Sequence, residues 1–123
     1  MMMKKNDNFS KTIKVGRIAH ISDLKTNISD CRQCIYFTIA INKTDDKPDY
    51  YNCIAYNTAA RHMERYIRKG CKVLVIGTES ITSKKGNNGM INKSVLCTAE
   101  KVLDYNSSEA QQLIATINNF FDN

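Results

Sequence analysis

Two tyrosines in the middle of the chain have the type and spacing of residues that stack on unpaired bases. Tyr50 and Tyr56 are six residues apart in a segment rich in strand-forming residues. Successive side chains of a strand point to opposite faces, so both rings share one face with Asn52, whereas Tyr51 points the other way. Such a pair predicts a stacking platform for single-stranded nucleic acid. Tyrosines in a core or at a subunit interface would explain the spacing equally well.

Residue types that carry out catalysis or bind metal ions are sparse. The only histidines are His20 and His62, and the chain has neither a Gly-x-Ser-x-Gly motif nor a phosphate-binding loop that ends in Lys-Ser or Lys-Thr. Cys31 and Cys34 have the spacing of half a zinc site, but a second ligand pair is missing. We therefore expect no enzymatic activity, no cofactor and no metal, and interpret the cysteines as core or loop thiols.

The charge balance favours a polyanionic partner, because 18 Lys and Arg stand against 12 Asp and Glu in 123 residues. A hydrophobic content of 42% and a charged content of 24% are typical of one globular domain. No apolar run approaches the roughly 20 residues of a membrane helix, and the N-terminus lacks the apolar stretch of a signal peptide. The five cysteines, an odd number and partly within apolar stretches, predict a protein of the reducing cytoplasm.

A small set of strands must position these residues. Alternation of polar and apolar residues predicts a first strand, in which Gly16 permits a bend or bulge. Later runs rich in β-branched and aromatic residues predict four more strands. Turn-forming residues make Asn42–Asp49 and Ser83–Gly89 connecting loops. The predicted strands are Thr12–Ala19, Tyr36–Ile41, Tyr50–Tyr56, a fourth that begins at Val73, and a fifth from about Met90 to Leu103.

A short helix is predicted between the third and fourth strands, from Ala59 to Lys69. Asn57 or Thr58 is the candidate N-terminal cap, and Gly70 suits the position just past the C-terminus. The helical period predicts a buried stripe that contains Ala59, Met63, Tyr66 and Ile67.

A second, amphipathic helix is predicted at the C-terminus, from Glu109 to Phe121, with Asn106 and Glu109 as a capping box. Its apolar stripe would not remain exposed to water, so we expect it to dock within the protein's own assembly. The chain then divides into a tail (1–9), a binding domain (10–105) and this helix (106–123). The stripe comprises Ala110, Leu113, Ile114, Ile117, Phe120 and Phe121.

The order of elements predicts the fold class. Three strands, one short helix and two strands are typical of the all-β, five-stranded oligonucleotide/oligosaccharide-binding barrel, or OB fold, whose helix lies between strands three and four. The C-terminal helix is an addition to that barrel.

Four ordered blocks of the chain, between Ser10 and Leu103, resemble the bacterial single-stranded DNA-binding proteins. The segment 10–18 is similar to the family's opening strand, and Phe-Thr-Ile-Ala-Ile-Asn at 37–42 is similar to its F-T-L-A-V-N signature. Residues 49–56 match an acidic residue, an aromatic and a strand that closes in another aromatic. The most specific block, residues 66–77, is similar to the family pattern Y-L-x-K-G-x-x-V-x-V-x-G.

The resemblance implies an OB-fold protein that binds single-stranded DNA without sequence preference, in replication, recombination or repair, and that assembles as a homo-oligomer, with a tetramer favoured over a dimer. Tyr50 and Tyr56 fall on two of the family's stacking positions. The resemblance implies a bacterial, cytoplasmic, nucleoid-associated protein. The full set of candidate DNA-binding residues is Tyr50, Tyr56, Lys11, Arg17, Asn52, Arg68, Lys69, Lys72, Lys84 and Lys85.

The chain departs from the family pattern in three places. The loop 42–49 has no aromatic where the family often has a stacking Trp, and Lys84 and Lys85 stand where another aromatic is often found. The family's long tail with an acidic, Phe-ended tip has no counterpart, so we expect no recruitment of partner proteins by such a tip, and the short, divergent chain suggests a mobile element or phage. The alternative is an OB-fold interaction protein of the primosomal replication type, in which contact with a partner protein matters as much as DNA.

Overall fold

The computed structural model describes residues 9–42, 47–85, 89 and 91–122. Its elements begin with three strands of very different length, and a helix separates the fourth strand from the last two. The bounds are β1 Phe9–Ile21, β2 Lys25–Thr26, β3 Gln33–Ile41, β4 Asp49–Tyr56, α1 Asn57–Tyr66, β5 Lys72–Lys85, β6 Ile91–Asp104 and α2 Ser108–Asp122.

The five long strands close into a barrel. The sheet order is β1-β5-β6-β4-β3-β2, and β1 also pairs with β3, which joins the first and last of the five long strands. The β4–β6 pairing is parallel, and the other pairings are antiparallel. The predicted OB barrel is confirmed, with a helix between its third and fourth long strands and a further helix at the C-terminus.

The inner faces of the strands form one apolar core, which α1 closes at one end. Ile18, Phe37, Ile39 and Val75 are each at most 3% exposed, and Met63 of α1 packs in the same cluster. Burial of each such side chain contributes about 1.5–3 kcal/mol. The core therefore rigidly supports the strands whose outer faces carry the candidate site.

The first half of strand β1, up to Gly16, places its apolar residues on the outer face, whereas Ile18 in the second half enters the core. Ile13 and Val15 lie on the outer face, where Val15 packs under α2 and Ile13 is 51% exposed. Lys14 points inward instead, with its Nζ 2.8 Å from a carboxylate oxygen of Glu79 and 4.1 Å from the centroid of the Tyr51 ring. This partly buried pair keeps both charges balanced inside the barrel.

Gly16 has a different role from the predicted bulge. A Cβ at this position would lie 2.7 Å from the carbonyl oxygen of Ala40, so the glycine permits close approach of β1 and β3. The irregularity in their pairing falls between Ile18 and His20. The missing side chain of Gly16 thus allows the backbones of β1 and β3 to lie close together where the barrel closes.

Several predicted strand limits were too short. Phe9, assigned to the N-terminal tail, is the first residue of β1, and residues 1–8 lie outside the described part. Ser83–Lys85, assigned to a loop, extend β5 in register with β6, and residues 86–88 are outside the described part, as are residues 43–46 of the other predicted loop. The two-residue strand β2 was not predicted, because polar Lys25–Thr26 has no apolar pattern.

Helix α1 begins two residues earlier and ends three residues earlier than predicted. The residue before it is Tyr56, and no side chain caps its N-terminus. Asn57 has a φ of 50° and uses its Oδ1 to accept a hydrogen bond from the backbone N–H of Gln33. Tyr66, predicted in the buried stripe, is 60% exposed; the buried positions are Ala60, Met63 and Ile67.

Helix α2 docks on its own barrel. Ala110 is fully buried with Leu74 and Leu103, and Val15, Leu113 and Ile114 pack around them. The predicted cap was wrong by one residue, because Oγ of Ser107 accepts from the backbone N–H of Ala110. Glu109 forms an ion pair with Lys101 (2.8 Å) and is not part of a capping box with Asn106. No helix in the described ranges is long and apolar enough to cross a membrane.

Gly77 lies at the irregularity in the antiparallel pairing of β5 with β6, and we predict that Gly77→Ala is strongly destabilising. An added Cβ would lie 2.4 Å from the carbonyl oxygen of Thr98 and 3.0 Å from Cα of Ala99, so the strands would have to separate. We expect a loss of about 1–3 kcal/mol in the free energy of unfolding, measured by chemical denaturation. Ser80→Ala on the same strand is the control, with a change below about 0.5 kcal/mol. Equal midpoints for the two variants would contradict the prediction.

Candidate nucleic-acid interface

Strand β4 divides its aromatic residues between two faces. Cys53 and Ala55 point into the core, so Tyr50, Asn52 and Tyr56 lie on the outer face. Tyr50 is 62% exposed, whereas Tyr51 is half-buried against the core. A hydrogen bond with Cys97 and burial raise the pKa of the Cys53 thiol, which therefore stays protonated in the core. The alternation leaves the Tyr50 ring open to a ligand.

Strand β3 adds a third tyrosine to this surface, which sequence reasoning missed. Tyr36 stands opposite Ile54 in the β3–β4 register and is 51% exposed. The signal was present, because Phe37, Ile39 and Ile41 share the inner face and leave Tyr36 on the other. We call the outer surface formed by Tyr36, Thr38, Tyr50, Asn52, Tyr56 and Leu96 the tyrosine face.

The middle of the tyrosine face is concave and mixed in polarity. Asn52 stands opposite Thr38 of β3 and Leu96 of β6, and the Thr38 hydroxyl donates to Oδ1 of Asn52 at 3.1 Å. Together with His20 and Tyr36, these residues line a depression of about 530 Å³. An amide, a hydroxyl and apolar surface between aromatic rings suit a planar, polar-edged ligand.

The Tyr56 ring differs from the other two because a cation already lies on it. Cζ of Arg32 is 4.0 Å from the ring centroid, and Nε of Arg32 is 2.8 Å from a carboxylate oxygen of Asp30. The backbone N–H and the guanidinium of Arg32 lower the pKa of Asp30. Tyr56 thus forms a cation–π pair and offers less free ring surface than Tyr50.

A basic cluster borders the tyrosine face at Tyr50. Arg17 stands opposite Lys72 on one side and Ala40 on the other, and Ala40 stands opposite Tyr50. Directly opposed residues share a face, so these four side chains form one row across β5, β1, β3 and β4. The Arg17 guanidinium donates to the Gly70 carbonyl (3.2 Å), next to exposed Lys69. Three candidate cations thus lie in or beside the row that reaches Tyr50, and Nζ of Lys72 also lies 4.1 Å from the centroid of the Tyr105 ring.

The remaining predicted cations are engaged elsewhere or lie farther away. Lys11 forms an ion pair with Glu100, which lowers the pKa of that carboxyl. The Arg68 guanidinium donates to the backbone carbonyls of Glu64 and Ile67. Lys84 and Lys85 end β5, and their side chains lie outside the described part. The geometry therefore groups Tyr50, Asn52, Arg17, Lys69 and Lys72, and it separates Lys11 and Arg68 from them.

The cysteines occupy separate environments. Cys31 is exposed in the β2–β3 loop with a φ of 59°, and Cys34 is buried opposite Tyr56. Across the described ranges, no three His, Cys, Asp or Glu side chains come together in a way that could hold a metal ion.

Proteins similar to this chain in sequence or in structure are single-stranded DNA-binding proteins. A curated relative, the single-stranded DNA-binding protein of Staphylococcus aureus (strain MRSA252), is 27% identical over 112 residues, which cover 84% of this chain and 71% of that protein. Two solved structures share the architecture, each covering 77% of this chain and 93% of its own. The small single-stranded DNA-binding protein from Streptomyces coelicolor has a TM-score of 0.64 at 17% identity. A mitochondrial single-stranded DNA-binding protein from S. cerevisiae has a TM-score of 0.63 at 21% identity.

The family assignment rests on a match to most of the chain. Residues 9–104, which run from the start of β1 to the end of β6, match the Single-strand binding protein family. The matched segment contains every strand of the barrel, helix α1 and the tyrosine face, and it ends before α2. The chain therefore belongs to the single-strand binding protein family.

Proposed function

We propose that the protein binds and protects single-stranded DNA without sequence preference, in replication, recombination or repair, with the tyrosine face as its stacking surface. The observation that carries this proposal is the set of three tyrosines on one outer strand face, bordered by Arg17 and Lys72. Stacking tolerates any base, because every base has a π face, and it contributes about 1–3 kcal/mol per base. The family and its relatives support the same ligand.

Individual roles follow from exposure. Tyr50 and Tyr36 present rings for stacking, and Tyr56 shares its ring with Arg32, whose charge then also lies near the DNA. Asn52 supplies hydrogen bonds to base edges or sugars from the middle of the face.

Cations hold the phosphates. Arg17, Lys69 and Lys72 are the primary contacts, because they lie in the row that reaches Tyr50 or directly beside it. Lys84 and Lys85 on the β5–β6 hairpin add further contacts. Lys11 and Arg68 contribute mainly to the general positive field, since neither lies in that row and Glu100 neutralises the charge of Lys11.

The rest of the proposal concerns organisation. The barrel and α1, from Phe9 to Asp104, form the DNA-binding domain, and α2 (Ser108–Asp122) is an accessory helix. The protein is a non-enzymatic, cytoplasmic, nucleoid-associated homo-oligomer, a tetramer in preference to a dimer. Light scattering of the purified protein, alone and with oligonucleotides of graded length, gives its mass and the stoichiometry of binding.

Salt dependence tests the phosphate contacts. Each neutralised phosphate releases counterions, so the log–log slope of affinity against salt is about −0.7 per contact on single strands. Three engaged cations predict a slope of about −2 or steeper, and Lys72→Gln should reduce it by about 0.7. Titration of oligo(dT) at several salt concentrations measures both slopes.

The matched control removes the same charge from another surface. Lys101→Gln disrupts an ion pair with Glu109 on the α2 side of the barrel, and we expect it to leave the slope unchanged. Equal affinities of the unmodified protein at about 50 and 200 mM salt would refute the phosphate contacts.

A further inference from the structure

The outer side of α1 carries an aromatic and basic surface that the tyrosine face does not include. Ala60 and Met63 bury the inner side of the helix, which leaves Arg61, Arg65 and Tyr66 exposed on the other. Tyr66 is 60% exposed, although a ring of this size usually finds apolar cover. Its ring lies 4.9 Å from that of His62, centroid to centroid, so two flat side chains stand together one turn apart.

These side chains line a groove between α1 and the β2–β3 hairpin. The groove has a volume of about 420 Å³ and includes Leu24, Gln33, Arg61, His62 and Tyr66. Its shape is maintained by the Arg61 guanidinium, which donates to Oε1 of Gln33 at 2.7 Å and to Oγ1 of Thr58 at 3.4 Å. The surface is therefore ordered before any ligand arrives.

The groove is continuous with the tyrosine face at Tyr56. Tyr56 is the last residue of β4, and α1 begins at the next residue. Arg32 lies over the Tyr56 ring, and its neighbour Gln33 contacts both Asn57 and Arg61. A ligand that leaves the tyrosine face past Tyr56 thus meets Arg32 and then the groove.

The charge of this surface suits a phosphate backbone. Two cations, Arg61 and Arg65, line the groove together with one carboxylate, Glu64, and Arg68 and Lys69 follow just after the helix. Asp23 lies in the neighbouring depression with Leu24 and Arg68, and Asp30, near Tyr56, is paired with Arg32. A groove lined by cations and exposed rings is the combination that binds single strands.

We propose that single-stranded DNA continues from the tyrosine face past Tyr56 into the α1 groove, where Arg61 and Arg65 contact phosphates and Tyr66 stacks on a base. This inference rests on the proposed function, and it assigns α1 a binding role in addition to its part in the core. DNA is favoured over a protein partner because the groove begins where the tyrosine face ends, and the same strand can occupy both.

The test compares short and long oligonucleotides on two variants, Arg65→Gln and Tyr66→Ala. Oligo(dT) of roughly 6 nucleotides is expected to occupy the tyrosine face alone, and one of roughly 16 to reach α1, within the range of site sizes for an OB fold. We expect Tyr66→Ala to lower the affinity for the long oligonucleotide about fivefold or more and to leave the affinity for the short one unchanged. Arg65→Gln should reduce the salt slope for the long oligonucleotide by about 0.7.

Two controls separate the inference from folding and from net charge. Tyr66→Phe keeps the ring and should retain most of the affinity, and Asn118→Asp lowers the net charge by one at an exposed position of α2 and should behave as the unmodified protein. If both α1 variants bind the long oligonucleotide with unchanged affinity, the inference is wrong and the proposed function stands. The same holds if their affinities for the short and long oligonucleotides fall by the same factor. If the unmodified protein binds neither oligonucleotide, the proposed function is wrong, and the inference that rests on it is wrong as well. A pull-down in which Tyr66→Ala loses only a protein ligand would also overturn the inference.

Discussion

Tyr50→Ala is expected to lower the affinity for single-stranded DNA by about 1–3 kcal/mol, or roughly 5- to 150-fold, without loss of stability. The ring is 62% exposed on the outer face of β4, beside the row that carries Arg17 and Lys72, so its removal leaves the core intact. Tyr36→Ala should act similarly from β3. Tyr56→Ala should lower the affinity less than Tyr50→Ala does, because Arg32 already lies over the Tyr56 ring and leaves less of it for stacking on a base. Fluorescence titration with oligo(dT) and thermal melting of each variant measure both quantities.

The neighbouring residue provides the matched control. Tyr51→Ala removes the same side chain from the other face of β4, where it packs against the core beneath Lys14. We expect this variant to lose stability and to keep its affinity per folded subunit, the reverse of Tyr50→Ala. Tyr50→Phe should bind nearly as well as the unmodified protein, since the π face remains. If Tyr50→Ala unfolds the protein or dissociates its oligomer at unchanged affinity, the ring belongs to an interface and not to the DNA site.

The barrel was predictable because its strands follow period two and its elements follow one order. The alternation in β4 separated Tyr50 from Tyr51 correctly. Alternation failed for β1, where Lys14 points inward to pair with Glu79, and Ile13 and Val15 point outward. A partly buried ion pair and an outer face that α2 covers at Val15 are tertiary features, and no local pattern contains them.

The site was predictable only in part, for reasons that differ by residue. The position of Arg32 on Tyr56 depends on the geometry of the β2–β3 loop, including the left-handed backbone at Cys31. Tyr66 was misassigned because a helical stripe with a three-to-four residue period accommodates either edge position, and only packing decides which edge is buried. Lys11 and Arg68 matched the family pattern by position, but Lys11 pairs with Glu100, and Arg68 donates to the backbone carbonyls of Glu64 and Ile67.

Helix α2 leads to the second large expected effect, which concerns stability. Deleting residues 106–123 would uncover Leu74 and Leu103, now 1% and 6% exposed, together with the outer side of Val15. At about 1.5–3 kcal/mol for each large apolar side chain, less the entropy recovered when the helix is no longer ordered, we expect a loss of about 2–4 kcal/mol. The melting temperature should fall by about 10 °C or more, and calorimetry measures it. Affinity for short oligo(dT) should persist, because the tyrosine face lies mainly on β3 and β4.

Two substitutions on α2 test whether the packing of the helix against the barrel provides the stability. Ala110 is fully buried at the contact with Leu74 and Leu103, whereas Ala115 is exposed on the same helix. Ala110→Asp places a charge in an apolar contact and should reproduce most of the effect of the deletion. Ala115→Asp makes the same change in charge and helix propensity, and it should shift the melting temperature only slightly. If the melting temperatures of both variants are close to that of the unmodified protein, α2 does not stabilise the barrel. Its apolar stripe is then better explained as a binding surface for a partner protein.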